Sequence, residues 1–326
     1  MTMAPAIETL QIALASALGR WNLSPRTTLN FLSHSENTTF LASDPETRRE
    51  LVLRIHRIDY HTRAEILSEL AWISALIADS VVDTPSPVAD REGNLLCELH
   101  AGGLMRNVVA FERMSGHEPD QSASLPAWFR KLGELSARLH SHSRRWPRPR
   151  TFERKTWDFD AMLGTRPLWG EWRAGMGLQD SAARLLERVA DRIAERLHAY
   201  GAEGHRFGLV HADLRLANLL VQGDRLGIID FDDCGFSWFI YDFAAAVSFI
   251  EHQPIMSELL HAWVEGYREV APVSKEDEAM LPVFVMLRRM LLMAWIASHS
   301  ETDAARTLGI SYTHGTVAMG DQFLRS

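Results

Sequence analysis

"LVHADLRLANLL", residues Leu209–Leu220, sets His211, Asp213, Arg215 and Asn218 among apolar neighbours. Apolar strand-like runs hold polar side chains only where these are paired or used, because burying one without a partner costs roughly 2–7 kcal/mol. Four such groups on eight positions make this stretch the first place to look for chemistry. Just downstream a hairpin at "QGDR" leads into an apolar strand, "LGIID", that ends in Asp230.

These residue types suit phosphoryl transfer. Magnesium prefers hard oxygen ligands, and a neutral amide with a carboxylate can hold it while nucleotide phosphates fill other positions. Asn218 and Asp230 fit that pair. A separate carboxylate must orient the attacking hydroxyl and accept its proton without being consumed as a metal ligand. Asp213, five residues before the asparagine, suits that role, and Arg215 is placed to offset charge on the transferring group.

Composition narrows the partners. At 326 residues, 46% of them hydrophobic, the chain is long enough for one large domain or two ordinary ones. Its formal charge of -8 and pI near 6.0 offer no basic footprint for nucleic acid or an anionic membrane, so small ligands are the expected partners. Cys97 and Cys234 stand far apart and suggest neither a disulfide framework nor a cysteine zinc site. No run of about 18 uninterrupted apolar residues occurs. The opening "MTMAPAIETLQIALASALGRW" lacks a basic leading region and carries Glu8; Ile7, Leu10, Leu14 and Leu18 fall at helical spacing, which predicts an amphipathic helix over 6–20. A cytoplasmic location is the expectation.

Working outward, "TTLNFLSHSENTTFLAS" and "ELVLRIHRI" have strand character, and "HTRAEILSELAWISALIA" switches to helical period. Two further strand-like runs, "NLLCEL" and "RNVVAFERM", follow a "PSP" break, and from Leu125 the pattern is mainly helical, with a helix at about Asp180 to Tyr200. The shift near residue 115 is the candidate domain boundary.

The stretch at 209–220 resembles the catalytic loop of the protein-kinase-like phosphotransferases, H-x-D-x-x-x-x-N. It is most similar to the branch that holds the aminoglycoside phosphotransferases and choline kinases, with homoserine kinases of the second type and bacterial stress-response kinases as relatives. "IIDFDD" resembles the metal-binding strand that follows, and "YDFAAAVSF" the helix whose aspartate, here Asp242, braces the loop. The resemblance implies an α+β, two-lobed fold. A small N-terminal lobe (1–114) would carry an antiparallel sheet plus helix, and a larger, mainly helical lobe (115–326) would carry catalysis and the acceptor. It further implies transfer of the γ-phosphoryl group of ATP or GTP, with Mg2+, to a hydroxyl of a small molecule: an aminoglycoside, an amino alcohol or a hydroxy-amino acid. His211 would mainly hold the loop.

In the first lobe, "LVLR" at Leu51 to Arg54 resembles the strand that normally ends in a phosphate-binding lysine. The first lysine in this chain is Lys131, so Arg54 takes that place, with Val52 on the same strand face toward adenine. Glu69 matches the helical acid that pairs with the cation, and Glu65, one turn earlier, is the reserve. The nucleotide-covering loop would be "SHSENT", with Ser35 and Asn37 in place of a glycine cradle, and backbone groups of Glu112 to Met114 would read adenine.

Other readings remain. A protein serine/threonine kinase of the same fold is the nearest. "GIIDFDDC" also resembles the nucleophile strand of haloacid-dehalogenase-type phosphohydrolases, but Cys234 stands where the usual threonine belongs and the chain after it is helical. A non-catalytic nucleotide-binding relative would account for the missing lysine and glycines. "DFDDCG" mimics a calcium loop, yet Tyr241 occupies the required twelfth position. Asp232 reads equally as an added metal or water contact and as a solvated acid. "HSH" at 140–142 reads as a chance pair on a helix, and the "RRMLLMAWIASH" run as a core helix.

Overall fold

Leu51, Leu53 and Ile55 alternate with Val52 and Arg54, and that alternation governs how the first sheet is built. The computed structural model describes residues 7–34, 37–120, 125–299 and 302–326. The chain folds into two compact units, residues up to 116 together with 148–154, and 117–147 together with 155–326.

The first unit opens with α1 (Ile7–Ala17), which tightens into a 3-10 turn over Leu18–Trp21 and stops at Asn22 in a left-handed conformation, φ 58. The helix expected over 6–20 is therefore α-helical only to Ala17. Then come β1 (Thr28–His34), β2 (Thr38–Asp44), β3 (Arg49–Ile55), α2 (Arg63–Ala78), β4 (Pro87–Val88), β5 (Leu96–Ala101) and β6 (Leu104–Glu112). They form one antiparallel sheet in the order β1-β2-β3-β6-β4, with β5 also paired to β6. Leu51, Leu53 and Ile55 face a core shared with Leu10, Leu14 and Trp21 of the leading helix and with Phe40 and Val108. The period-two pleat sends Val52 and Arg54 to the opposite face, where α2 supplies the partner of Arg54. α2 starts with a capping box: the Thr62 hydroxyl accepts from Glu65 N, and the Glu65 carboxylate accepts from Thr62 N.

Residues 148–154, expected with the larger lobe, belong to this first unit. Arg154 Nη1 donates to Glu65 O at 2.9 Å and Glu153 N donates to Ser68 Oγ at 2.9 Å, so the segment is tied to α2 by hydrogen bonds that leave no sequence pattern.

The second unit contains α3 (Leu125–Arg145), the short α4 (Phe159–Met162), α5 (Asp180–Tyr200), β7 (Phe207–Val210), β8 (Leu219–Gln222), β9 (Arg225–Ile228), β10 (Gly235–Trp238), α6 (Tyr241–Ala246), α7 (Met256–Arg268), α8 (Lys275–Ser298) and α9 (Asp303–Arg325), the last broken at Gly309. Two antiparallel pairs, β7 with β10 and β8 with β9, frame the segment 211–218. The second pair closes at Gly223, φ 62, where a two-residue loop needs a first residue with positive φ. The mixed α+β architecture, antiparallel sheet first and mainly helical after, is the one the resemblance implied.

α8 is the helix among the described residues long and apolar enough to cross a membrane, but 83% of its apolar window is buried within the fold. Its capping box (Ser274 with Asp277) starts it cleanly, and it packs against α5, α6 and α9 as a core helix. α3 and α7 approach until their backbones touch. A Cβ on Gly133 would lie 2.0 Å from Trp263 O, and one on Gly266 would lie 1.8 Å from Arg130 O. Since backbone cannot yield as a flexible side chain does, Gly266→Ala must force the two helices apart. We expect it to cost about 1–3 kcal/mol, at the upper end of that range. Thermal unfolding of the variant beside the native chain checks this: a midpoint unchanged or raised would contradict the packing described.

Candidate active site

The segment between β7 and β8 is shaped by one carboxylate. Asp242, in the first turn of α6, is wholly buried; its Oδ1 accepts Ala212 N–H at 2.7 Å and its Oδ2 accepts His211 N–H at 3.2 Å. Ala212 sits at φ 68, a conformation that costs a non-glycine residue of order 1–3 kcal/mol and persists only when its surroundings fix it. Asp242 Oδ2 also takes a 2.9 Å hydrogen bond from His140 Nε2 on α3, and His140 Nδ1 meets the Tyr267 hydroxyl of α7 at 3.0 Å. The helix pair α3/α7 is thus tied to the turn at 211–212.

His211 is held from both ring nitrogens. Its Nδ1 accepts from Asp213 N at 3.2 Å, and its Nε2 donates to Ile229 O at 3.2 Å. The ring also packs on Phe231, 4.4 Å between centroids.

The backbone turn delivers Asp213, 8% exposed, into a ring of donors. Its Oδ2 accepts from Asn218 Nδ2 at 2.8 Å and from Arg215 Nε at 3.2 Å; its Oδ1 accepts from Arg288 Nη2 at 2.5 Å. Burial pushes the carboxyl up, but the Arg215 and Arg288 guanidiniums outweigh it and hold Asp213 below the ordinary carboxylate value. Asn218 Nδ2 also donates to Asp213 O at 2.9 Å, so both amide protons face Asp213 and the amide oxygen is turned away from it. Asp230 follows β9 in a left-handed conformation, φ 63, with its side chain exposed and its charge felt at Arg215.

The second unit therefore brings His211, Asp213, Arg215, Asn218 and Asp242 into one hydrogen-bonded cluster, with Asp230 beside Arg215. Asp232 is only 4% exposed, which removes its reading as a solvated acid. Among the described residues no three His, Cys, Asp or Glu side chains converge as a metal cluster, and His140 is committed to Asp242 and Tyr267 while His142 stacks on Trp146.

In the first unit Arg54 Nη2 spans both Glu69 carboxylate oxygens, at 2.7 and 2.8 Å, and the guanidinium lies 5.2 Å from the Phe111 ring centre. Glu65, the reserve partner, is spent on the α2 cap and lies 3.6 Å from His61. Val52 is half-buried on the Arg54 face. Asn37 Oδ1 accepts from Arg57 N at 3.1 Å; Ser35 lies outside the described residues. Glu112 N donates to Ser86 O at 2.9 Å, its carboxylate pairs with Arg49, and Met114 is half-buried.

Sequence reasoning missed Arg288 and His140. The available signal for Arg288 was a charged pair inside the apolar run "VFVMLRRMLLMAW": a buried guanidinium demands an acceptor. Nothing in the sequence said which one.

Residues 28–273 match the phosphotransferase enzyme family, APH. A structure of a microcompartment-associated aminopropanol kinase is 43% identical, covers 98% of each chain and superposes with a TM-score of 0.89. The amicoumacin kinase hAmiN, in complex with AMP-PNP, Ca2+ and Ami, is 21% identical over 96% of this chain and 93% of its own, TM-score 0.78, which speaks to fold alone. A homoserine kinase of Polaromonas naphthalenivorans is 23% identical over 245 residues, 70% of each chain. With a family match over residues 28–273 and 43% identity to a small-molecule kinase across 98% of both chains, the chain belongs to the phosphotransferase enzyme family and is a kinase of small molecules.

Proposed function

We propose that the protein transfers the γ-phosphoryl group of ATP, or of GTP, to the hydroxyl of a small amino alcohol, with aminopropanol the first candidate. The observation that carries the reading is the Asp213 carboxylate, fixed on a braced turn with donors on both oxygens. The acceptor class rests on the 43% identity to an aminopropanol kinase across 98% of both chains.

Asp213 orients the acceptor hydroxyl and receives its proton. The hydroxyl oxygen forms a bond to the γ-phosphorus as the bond to the β–γ bridging oxygen breaks, leaving a phosphate monoester and a nucleoside diphosphate. Arg215 offsets charge on the phosphoryl oxygens. The outward Asn218 amide oxygen and the exposed Asp230 carboxylate are hard oxygen donors. Two protein ligands suit magnesium, which keeps the rest of its shell for phosphates and water. When bound there it would neutralise phosphate charge. His211 and Asp242 hold the turn. In the first unit Arg54, kept in place by Glu69, stands for the usual lysine at the α/β-phosphates, Val52 and the backbone of Glu112 to Met114 face adenine, and Ser35 and Asn37 belong to the covering loop.

The test incubates the protein with Mg·ATP or Mg·GTP against aminopropanol, ethanolamine, choline, homoserine, an aminoglycoside and a generic protein, and follows gain of one phosphoryl group by mass spectrometry. Phosphorylated aminopropanol that disappears with Asp213→Asn, while nucleotide affinity stays within about threefold, is the expected result. Product on the protein substrate alone, or equal turnover by the variant, would overturn the reading. For the first unit, Arg54→Lys should keep turnover, because one ammonium can still meet both Glu69 and a phosphate. Arg54→Met should raise the nucleotide KM about tenfold or more, the loss of a charge-assisted contact. An unchanged KM in Arg54→Met would remove Arg54 from the nucleotide site.

A further inference from the structure

We infer that Arg288, in the middle of α8, is a positioning residue for phosphoryl transfer: it occupies Oδ1 of Asp213 so that Oδ2, on the Arg215 side, is the oxygen presented to the acceptor hydroxyl. The inference rests on the role proposed above for Asp213.

The contacts of Arg288 divide between anchor and target. Nε donates to Ser248 Oγ at 3.1 Å, Nη1 to the Tyr241 hydroxyl at 3.0 Å and to Ala212 O at 3.3 Å, and Nη2 to Asp213 Oδ1 at 2.5 Å. Its guanidinium also lies 5.0 Å from the Trp169 ring centre. A planar fork with three of its nitrogens engaged has no rotational freedom left, so it fixes the position of the oxygen it holds. Burial separates the two arginines that share Asp213. The Arg288 side chain is 2% exposed and that of Arg215 35% exposed. The half-exposed Arg215 can yield its place on Oδ2 to an incoming hydroxyl while Asn218 keeps that oxygen in position, whereas the buried Arg288 stays on Oδ1.

The same arrangement explains why a charged residue is tolerated in a core helix. Burial works against the Arg288 charge, and Tyr241, Asp213 and Asp233 outweigh it. A helix that needed only packing at this position would be served by leucine or methionine without that conflict. Arg289, next in sequence, has a different set of partners, Glu251, Thr316 and Tyr312 O. It ties α8 to α9 and does not reach Asp213.

The experiment compares Arg288→Met, Arg288→Lys, Ser248→Ala and Asp213→Asn with the native chain, using Mg·ATP and aminopropanol, with thermal unfolding of each and a crystal structure of Arg288→Met. We expect Arg288→Met to lower kcat about a hundredfold, the size of effect a misplaced reacting group produces. Both KM values should stay within about threefold, and Arg288→Lys should recover about tenfold of the loss. The Asp213 carboxylate should leave its native place in the crystal structure, while Ala212 stays bound to Asp242. Should the methionine chain not fold, Ser248→Ala, which frees one edge of the fork without touching Asp213, should lower kcat about threefold to tenfold at unchanged KM. The inference is overturned by a kcat within threefold of native in Arg288→Met, or by an unmoved carboxylate. A joint fall of kcat, both affinities and the unfolding midpoint that lysine does not relieve would also overturn it, since that pattern marks a packing role. Full turnover by Asp213→Asn would instead sink the reading of Asp213, and the crystallographic comparison would still decide whether Arg288 fixes that carboxylate.

Discussion

A carboxylate with no access to water must find every partner within the protein, and Asp242 finds three: the backbone N–H groups of His211 and Ala212 and the ring of His140. The consequences run outward from there. Ala212 can keep its left-handed conformation because both neighbouring amides are claimed, and that conformation turns the chain so that Asp213 leaves β7 pointing into the ring of donors. Removing the carboxylate would release a strained turn and leave buried amides without acceptors, a double cost.

The charge pattern around Asp213 bears on the role proposed for it. A carboxylate between two guanidiniums is a poor base. In phosphoryl transfer through a loose transition state, bond formation to the nucleophile is little advanced at the barrier, so the hydroxyl needs direction more than early deprotonation. A weakly basic, rigidly held acceptor fits that demand. The same economy shows in Asn218, whose two amide protons face Asp213 and whose oxygen is thereby aimed elsewhere.

Much of this was legible along the chain because it is local. The five-residue spacing from Asp213 to Asn218 survives folding as a hydrogen bond, the alternation over 51–55 sorts one strand into a core face and a charged face, and α5 spans the interval read from its period. What escaped is non-local. His140 meets Asp242 across 102 positions and Arg288 meets Asp213 across 75, and neither partner can be named from composition or period. The return of 148–154 to the first unit depends on a serine hydroxyl and a helix carbonyl, groups too common to signal anything. The sequence around Asp232 suits a solvated acid and a metal contact equally, and only the packing that buries it excludes the first.

Two adjacent arginines in α8 serve acceptors on different sides of the helix, Asp213 for one and Glu251 for the other. Successive residues on an α-helix are rotated by about 100°, so this pairing amounts to a key with two offset teeth. Sliding the helix by one position would present each guanidinium to the wrong lock and strip Asp213 Oδ1 and Glu251 Oε2 of the arginines they hold. α8 can therefore vary in the residues that merely fill space, but its register relative to the turn that carries Asp213 is not free. Changes of length in this part of the chain belong in the connections that flank the helix, not within it.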